Sequence, residues 1–213
     1  MAFSPILAGG ADKRFLTLLM VLLLAGCAAP VAKPPAAGPW LARQEILANL
    51  SDWDISGRIG IINAQEGWHA SLQWKQRGPV YAIDLLGPWG QGRVRIEGDA
   101  QSVRVRTADG QVRRASDPEQ LLVDTLGMRI PLKGLFYWVR GLPDPDRPSE
   151  LQGDEFGRLN HLQQDGWDIS YSEYMTVGST DLPAQIRARQ DEWQVRIAIK
   201  AWDLQPPPLQ TLL

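Results

Sequence analysis

Few residues of this 213-residue chain have the type and spacing for covalent or metal chemistry. Its single cysteine, Cys27, rules out an intrachain disulfide and any cysteine-based metal cluster, and two histidines, His69 and His161, cannot build a histidine-rich centre. A serine hydrolase needs a nucleophile beside a base, but no Gly-x-Ser-x-Gly is present and both histidines occupy polar positions of alternating segments. Asp144 and Asp146 flank Pro145 and could suggest paired acids or calcium, yet two carboxylates lack the further ligands that cation takes. There is no Gly-x-x-x-x-Gly-Lys-Ser/Thr cradle. Gly87, Gly90 and Gly92 miss the dinucleotide pattern because Arg95 stands where a third glycine is needed. The expectation is a protein that is not an enzyme and uses no cofactor or metal. With 22 Lys and Arg against 24 Asp and Glu, the formal charge is −2, so nucleic acid is not an expected partner either.

What chemistry remains belongs to Cys27. Lys13 and Arg14 precede an apolar run from Phe15 to Leu24, followed by small Ala25 and Gly26, which is the layout of a secretory signal. The run is well short of the ~20 residues a membrane-crossing helix needs. Leu24-Ala25-Gly26-Cys27 resembles the bacterial lipobox, in which the signal is cut before a cysteine that carries three acyl chains. The alternative is a leftover thiol, but an unpaired thiol is a liability in an oxidising compartment, and this one stands where the apolar run gives way to small residues. Several acyl chains, at ~0.8 kcal/mol per buried methylene, anchor a protein stably where one does not. The lipobox resemblance also implies sorting: Ala28 follows the cysteine where inner-membrane retention commonly uses Asp, which favours the outer membrane. Residues 1–26 are then a signal peptide and 27–39 a lipidated, Pro-rich tether; 40–205 form a single domain, and 206–213 a Pro-rich tail.

The elements that follow are mostly strands. Trp40 to Leu50 predicts one amphipathic helix with Trp40, Leu47 and Leu50 on one face. The period then switches to two: Trp53, Ile55, Ile59 and Ile61 alternate with polar residues, as do Trp68, Ala70, Leu72 and Trp74. Turn signals separate Val80–Leu86, Val94/Ile96, Val103/Val105 and Val112. Asp117-Pro118-Glu119-Gln120 predicts a capped helix with Gln120 closing a capping box, ended by Gly127, and a second helix spans Lys133 to Arg140. Strands resume over 156–163, turn at Asp165-Gly166, and continue through 167–171, 185–189 and 193–202. About ten or eleven antiparallel strands in two meanders tend to curl, and a helical insertion between them is placed to cover the mouth.

Gly57-Arg58-Ile59-Gly60, Leu72-Gln73-Trp74, Gly87-Pro88-Trp89-Gly90, Ile130-Pro131-Leu132 and Tyr137-Trp138-Val139-Arg140-Gly141-Leu142-Pro143 resemble the outer-membrane lipoprotein receptor family LolB. So do Gly166-Trp167 with Tyr171, Leu182-Pro183, and Val195-Arg196-Ile197 up to Trp202. The resemblance covers nearly the whole chain after the lipobox. It implies an unclosed antiparallel β-barrel with a helical lid over a hydrophobic cavity. The implied function is to accept triacylated lipoproteins from the soluble periplasmic carrier LolA and place them in the outer membrane without nucleotide, acting as a monomer. A general acyl-chain carrier or a structural envelope lipoprotein is the alternative.

For the cavity wall the inward alternation supplies Ile55, Ile59, Ile61, Leu72, Trp74, Tyr81, Ile83 and Leu85, with Leu122, Leu126, Leu135 and Trp138 from the lid. Periodicity alone gives these residues a close-packed core; the resemblance implies a lipid-holding cavity. Trp89, in a loop shaped by Gly87, Pro88 and Gly90, is either a plug or an exposed tip. The resemblance implies that this loop engages outer-membrane lipids, and Trp prefers the headgroup boundary. Arg93, Arg95, Arg104, Arg106 and Arg113 are either a solvated surface or a docking face for an acidic carrier or lipid phosphates.

Overall fold

The computed structural model describes residues 33–88 and 92–209, so Cys27, the signal segment, Trp89 and Gly90 lie outside the described residues. Alternating burial builds the first half from β1 (Asp52–Ile62), β2 (Gly67–Arg77), β3 (Val80–Leu86), β4 (Arg93–Gly98), β5 (Val103–Arg106) and β6 (Val112–Ala115). The second half consists of β7 (Ser149–Gly153), β8 (Leu159–Gln164), β9 (Trp167–Val177), β10 (Thr180–Gln190) and β11 (Trp193–Asp203). All eleven form one antiparallel sheet in the order β6-β5-β4-β3-β2-β1-β11-β10-β9-β8-β7. Each half is a meander, and the first and last strands staple the halves together. A β-bulge between Ser56 and Gly57 interrupts the β1–β11 register. A Cβ at Gly57 would run into the Ala198 carbonyl, so glycine is required at this close approach.

Three helices are present among the described residues: α1 (Ala37–Ala48), α2 (Pro118–Leu126) and α3 (Leu132–Trp138). Helix α1 starts before the expected Trp40 because Pro39 fits in a first turn, and it ends before Leu50; Trp40 and Leu47 are its buried residues. Asp117 caps α2 by accepting from the Glu119 N–H at 3.1 Å, and Gly127 ends it in the left-handed conformation at φ 66°. Gln120 does not close the expected capping box; its amide donates to Asp124 instead. Asp165 and Gly166 both have positive φ, the geometry of a tight hairpin between β8 and β9.

The described sheet is not closed between β6 and β7. The chain passes from one edge to the other through α2 and α3, which makes this crossover the lid. No described helix is long and apolar enough to cross a membrane.

Candidate functional site

The concave face is apolar almost throughout because cross-strand partners share a face. Ile55 opposes Trp74, Trp74 opposes Ile83, and Ile83 opposes Ile96 in one row from β1 to β4. Ile59, Ile61, Leu72, Tyr81 and Leu85 face the same way, and all are buried. Of the lid positions expected at the wall, Leu122, Leu135 and Trp138 are buried, while Leu126 is half-buried at the rim. The structure brings these residues together on one face. They form one continuous packed cluster, with the lid side chains filling the hollow of the sheet.

Phe136 is a lid residue that sequence reasoning missed. Its ring meets Trp74 at 5.4 Å and Tyr81 at 4.8 Å between centroids, edge to face. Trp138 is held from both sides: its indole N–H donates to Gln164 Oε1 at 2.9 Å, and its carbonyl accepts from the Tyr171 hydroxyl at 3.1 Å. Gln164 is itself buried, and its amide donates to the carbonyls of Asp144 and Arg147 at 2.9 and 3.1 Å. One side chain therefore ties the lid tryptophan to the loop behind it. Gly134 makes room for this arrangement, since a Cβ there would strike the Trp138 ring. The Asp144 carboxylate accepts from the Asp146 N–H at 3.0 Å, a local turn contact.

Burial sets the electrostatics around this packing. Arg140, from the helix-end motif, donates from Nη1 to the carbonyls of Leu47 and Leu50 at 3.1 and 3.0 Å and from Nε to Phe136 O at 3.2 Å. A cation thus meets the C-terminal carbonyls of α1 and ties them to α3. Burial pushes its pKa down, partly offset by Tyr137. Burial, reinforced by the charge of Asp99, pushes the Tyr81 hydroxyl up to about 12. Both residues border a cavity of about 310 Å³, together with Trp53, Phe136 and Tyr137. A second opening of about 520 Å³ lies at the opposite rim, lined by Trp68, Val94, Leu126 and Met128. That rim carries Gly87, Pro88 and Gly92, the described flanks of the glycine-rich loop.

The arginines divide between the two faces. Arg93, Arg95, Arg104 and Arg106 lie on the convex face, as expected. Arg113 does not: it opposes buried Val105, so it shares the inner face, and it donates to the Asp124 carbonyl of α2 at 3.3 Å. The residue on the convex face is Arg114, directly opposite Arg104. Val112 is exposed and opposes Arg106 on the convex face, so the polar face of β6 is offset by one residue from the one expected to carry Arg113. His161 lies on the outer face of β8 and pairs with Asp168 at 2.8 Å.

With the open sheet and its lid described, the chain's similarity to known proteins can be placed on the structure. Residues 51–202, from the start of β1 to the end of β11, match the family model described as "Outer membrane lipoprotein LolB". The chain belongs to the LolB family. An outer-membrane lipoprotein LolB from Stutzerimonas stutzeri is 39% identical over 196 residues, covering 89% of this chain and 95% of that protein. One from Nitrosococcus oceani is 38% identical over 192 residues, covering 88% and 95%. Among solved structures, a LolA superfamily protein from Nitrosomonas europaea shares the fold at a TM-score of 0.53 and 10% identity, covering 81% of this chain and 94% of that one. The LolB match spans the whole sheet and the lid, so the packed concavity is the body of the family domain.

Proposed function

We propose that this protein receives acylated lipoproteins from the soluble periplasmic carrier LolA on its concave face and inserts them into the outer membrane without nucleotide, itself anchored there through acyl chains on Cys27. One observation carries the reading: a sheet open between β6 and β7 has an apolar hollow filled by two short helices rather than by a second sheet. Such a hollow is made by moving the lid, because cavities of 310 and 520 Å³ are too small for three acyl chains.

The energetics of exchange are balanced. Uncovering Leu122, Leu135, Phe136 and Trp138 costs roughly 1.5–3 kcal/mol each, or about 6–12 kcal/mol together. Burying an acyl chain of roughly 15 methylenes returns on the order of 12 kcal/mol. The first chain to enter thus replaces the contacts the lid gives up, and further chains make acceptance favourable. Release to a bilayer is downhill if the bilayer buries the chains better than the protein. The loop of Gly87, Pro88, Trp89 and Gly90 serves as the contact with that bilayer.

The test uses the chain from residue 28 onward, which keeps every described element. Mixed with cargo-loaded LolA, it takes over the lipoprotein in a pull-down; cargo that stays on LolA overturns the reading. A Trp89→Glu protein accepts cargo equally but fails to deliver it to outer-membrane vesicles, and unchanged delivery removes the loop from the account. Equal uptake of free fatty acid and lipoprotein makes the protein a general acyl carrier instead.

A further inference from the structure

The convex face of β3 to β6 holds an arrangement that packing does not explain. Arg95 stands directly opposite Arg106, and Arg104 directly opposite Arg114. Like charges in direct cross-strand register destabilise a sheet, yet here they recur on two neighbouring strand pairs. Among the described residues only two carboxylates balance them. Asp84 accepts from Arg93 at 2.7 Å and Arg95 at 3.0 Å, and Glu97 accepts from Arg95 at 2.7 Å and from Arg104. Burial works against ionisation of Glu97, but the hydrogen bonds and charges of Arg104 and Arg95 outweigh it and hold its carboxyl below the usual range. Arg106 and Arg114 have no carboxylate partner among the described residues. Five arginines thus face two acids in a chain whose net charge is −2, and four of them border a groove of about 560 Å³.

The neighbours of this patch identify its partner. Exposed Leu86 lies directly opposite Arg93, and exposed Val112 directly opposite Arg106, so apolar side chains flank the cations on both sides. Guanidinium groups alternating with exposed apolar residues fit a membrane interface, where the fork binds phosphate and the aliphatic groups enter the headgroup boundary. The patch also reaches the rim where β3 and β4 are joined by residues 87–92. We propose that the convex face of β3–β6, centred on Arg106 and Arg114, binds the phosphate headgroups of anionic lipids and seats this rim against the membrane. This deepens the reading that the protein delivers cargo to a bilayer, and rests on it.

Co-sedimentation of the chain from residue 28 with vesicles tests the proposal. The parent protein binds phosphatidylcholine vesicles containing phosphatidylglycerol more tightly than phosphatidylcholine alone, and the difference shrinks as salt rises. Arg106→Gln with Arg114→Gln lowers affinity for the anionic vesicles on the order of 30-fold and leaves binding to neutral vesicles unchanged. Both substitutions remove like-charge opposition, so the variant folds, as its thermal unfolding will show. Equal binding of parent and variant to anionic vesicles, or no anionic preference in the parent, overturns the proposal. A variant that keeps its anionic-vesicle binding but takes cargo slowly from the carrier makes the face a protein dock, which also overturns it. Trp89→Glu separates the underlying reading: it weakens binding to neutral vesicles while the anionic preference persists.

Discussion

Strands β3 to β6 present two opposite chemistries on alternate residues of the same short segments. On the concave side Ile83, Ile96 and Val105 form an unbroken apolar row under the lid. On the convex side Asp84, Arg95 and Arg106 form the corresponding ionic row. The inner row obeys the ordinary demands of folding. The outer one places like charges in register, against the local preference of a sheet. The apolar contribution to stability therefore resides in the concave face and the lid, whereas the like-charge register of the convex face fits the proposed contact with lipid phosphates.

The largest effect that would test this contrast is on the lid. Trp138→Ala removes a buried indole and one of the two donors to Gln164 Oε1, the other being the Asp144 N–H, so unfolding in denaturant moves by about 3–5 kcal/mol. A change below about 1 kcal/mol would mean that the lid does not belong to the core.

The pH dependence separates the faces by sign. The Tyr81 pKa is raised, so its contribution is complete below its ordinary value of 10 and is lost as pH rises through about 12. That decline is about 2–3 kcal/mol and diminishes in Tyr81→Phe, as urea unfolding at high pH will show. The Glu97 pKa is depressed, so its contribution is present above its ordinary 4.5 and disappears as pH falls through the lower folded value. Glu97→Gln flattens the acid side of the same curve and leaves the basic side alone.

The smallest effect has the opposite sign. Arg106→Gln relieves its opposition to Arg95 and raises stability by a few tenths of a kcal/mol at low salt, a gain that vanishes at high ionic strength. Thermal unfolding across a salt series measures it. A loss of stability would place Arg106 among the residues that hold the fold.

Much of this structure was legible in the sequence because half-buried strands carry period-two patterns. Val80 to Leu86 was read with its true ends, and Asp117, Pro118 and Gly127 marked α2 correctly. Strand β7 was missed because Ser-Glu-Leu-Gln-Gly holds one apolar residue, too little to show alternation in an edge strand. The misplacement of Arg113 has a similar origin. Val112-Arg113-Arg114-Ala115 gives no strong parity, so register had to come from pairing with β5. Gln164 could have been found by counting two positions on from inward Leu162. The β1–β11 pair could not, because it joins residues far apart in the chain and has no local signature.

Site-specific photocrosslinking tests the central claim most directly. A photoreactive amino acid replaces Phe136 on the lid or, in a second protein, Arg104 on the convex face, and each is irradiated with LolA carrying an acylated lipoprotein. Adducts to the cargo acyl chains at position 136 and none at 104 are the predicted result. Acyl adducts confined to position 104, or none at 136 while cargo still changes hands, would contradict a concave, lid-gated path for lipid.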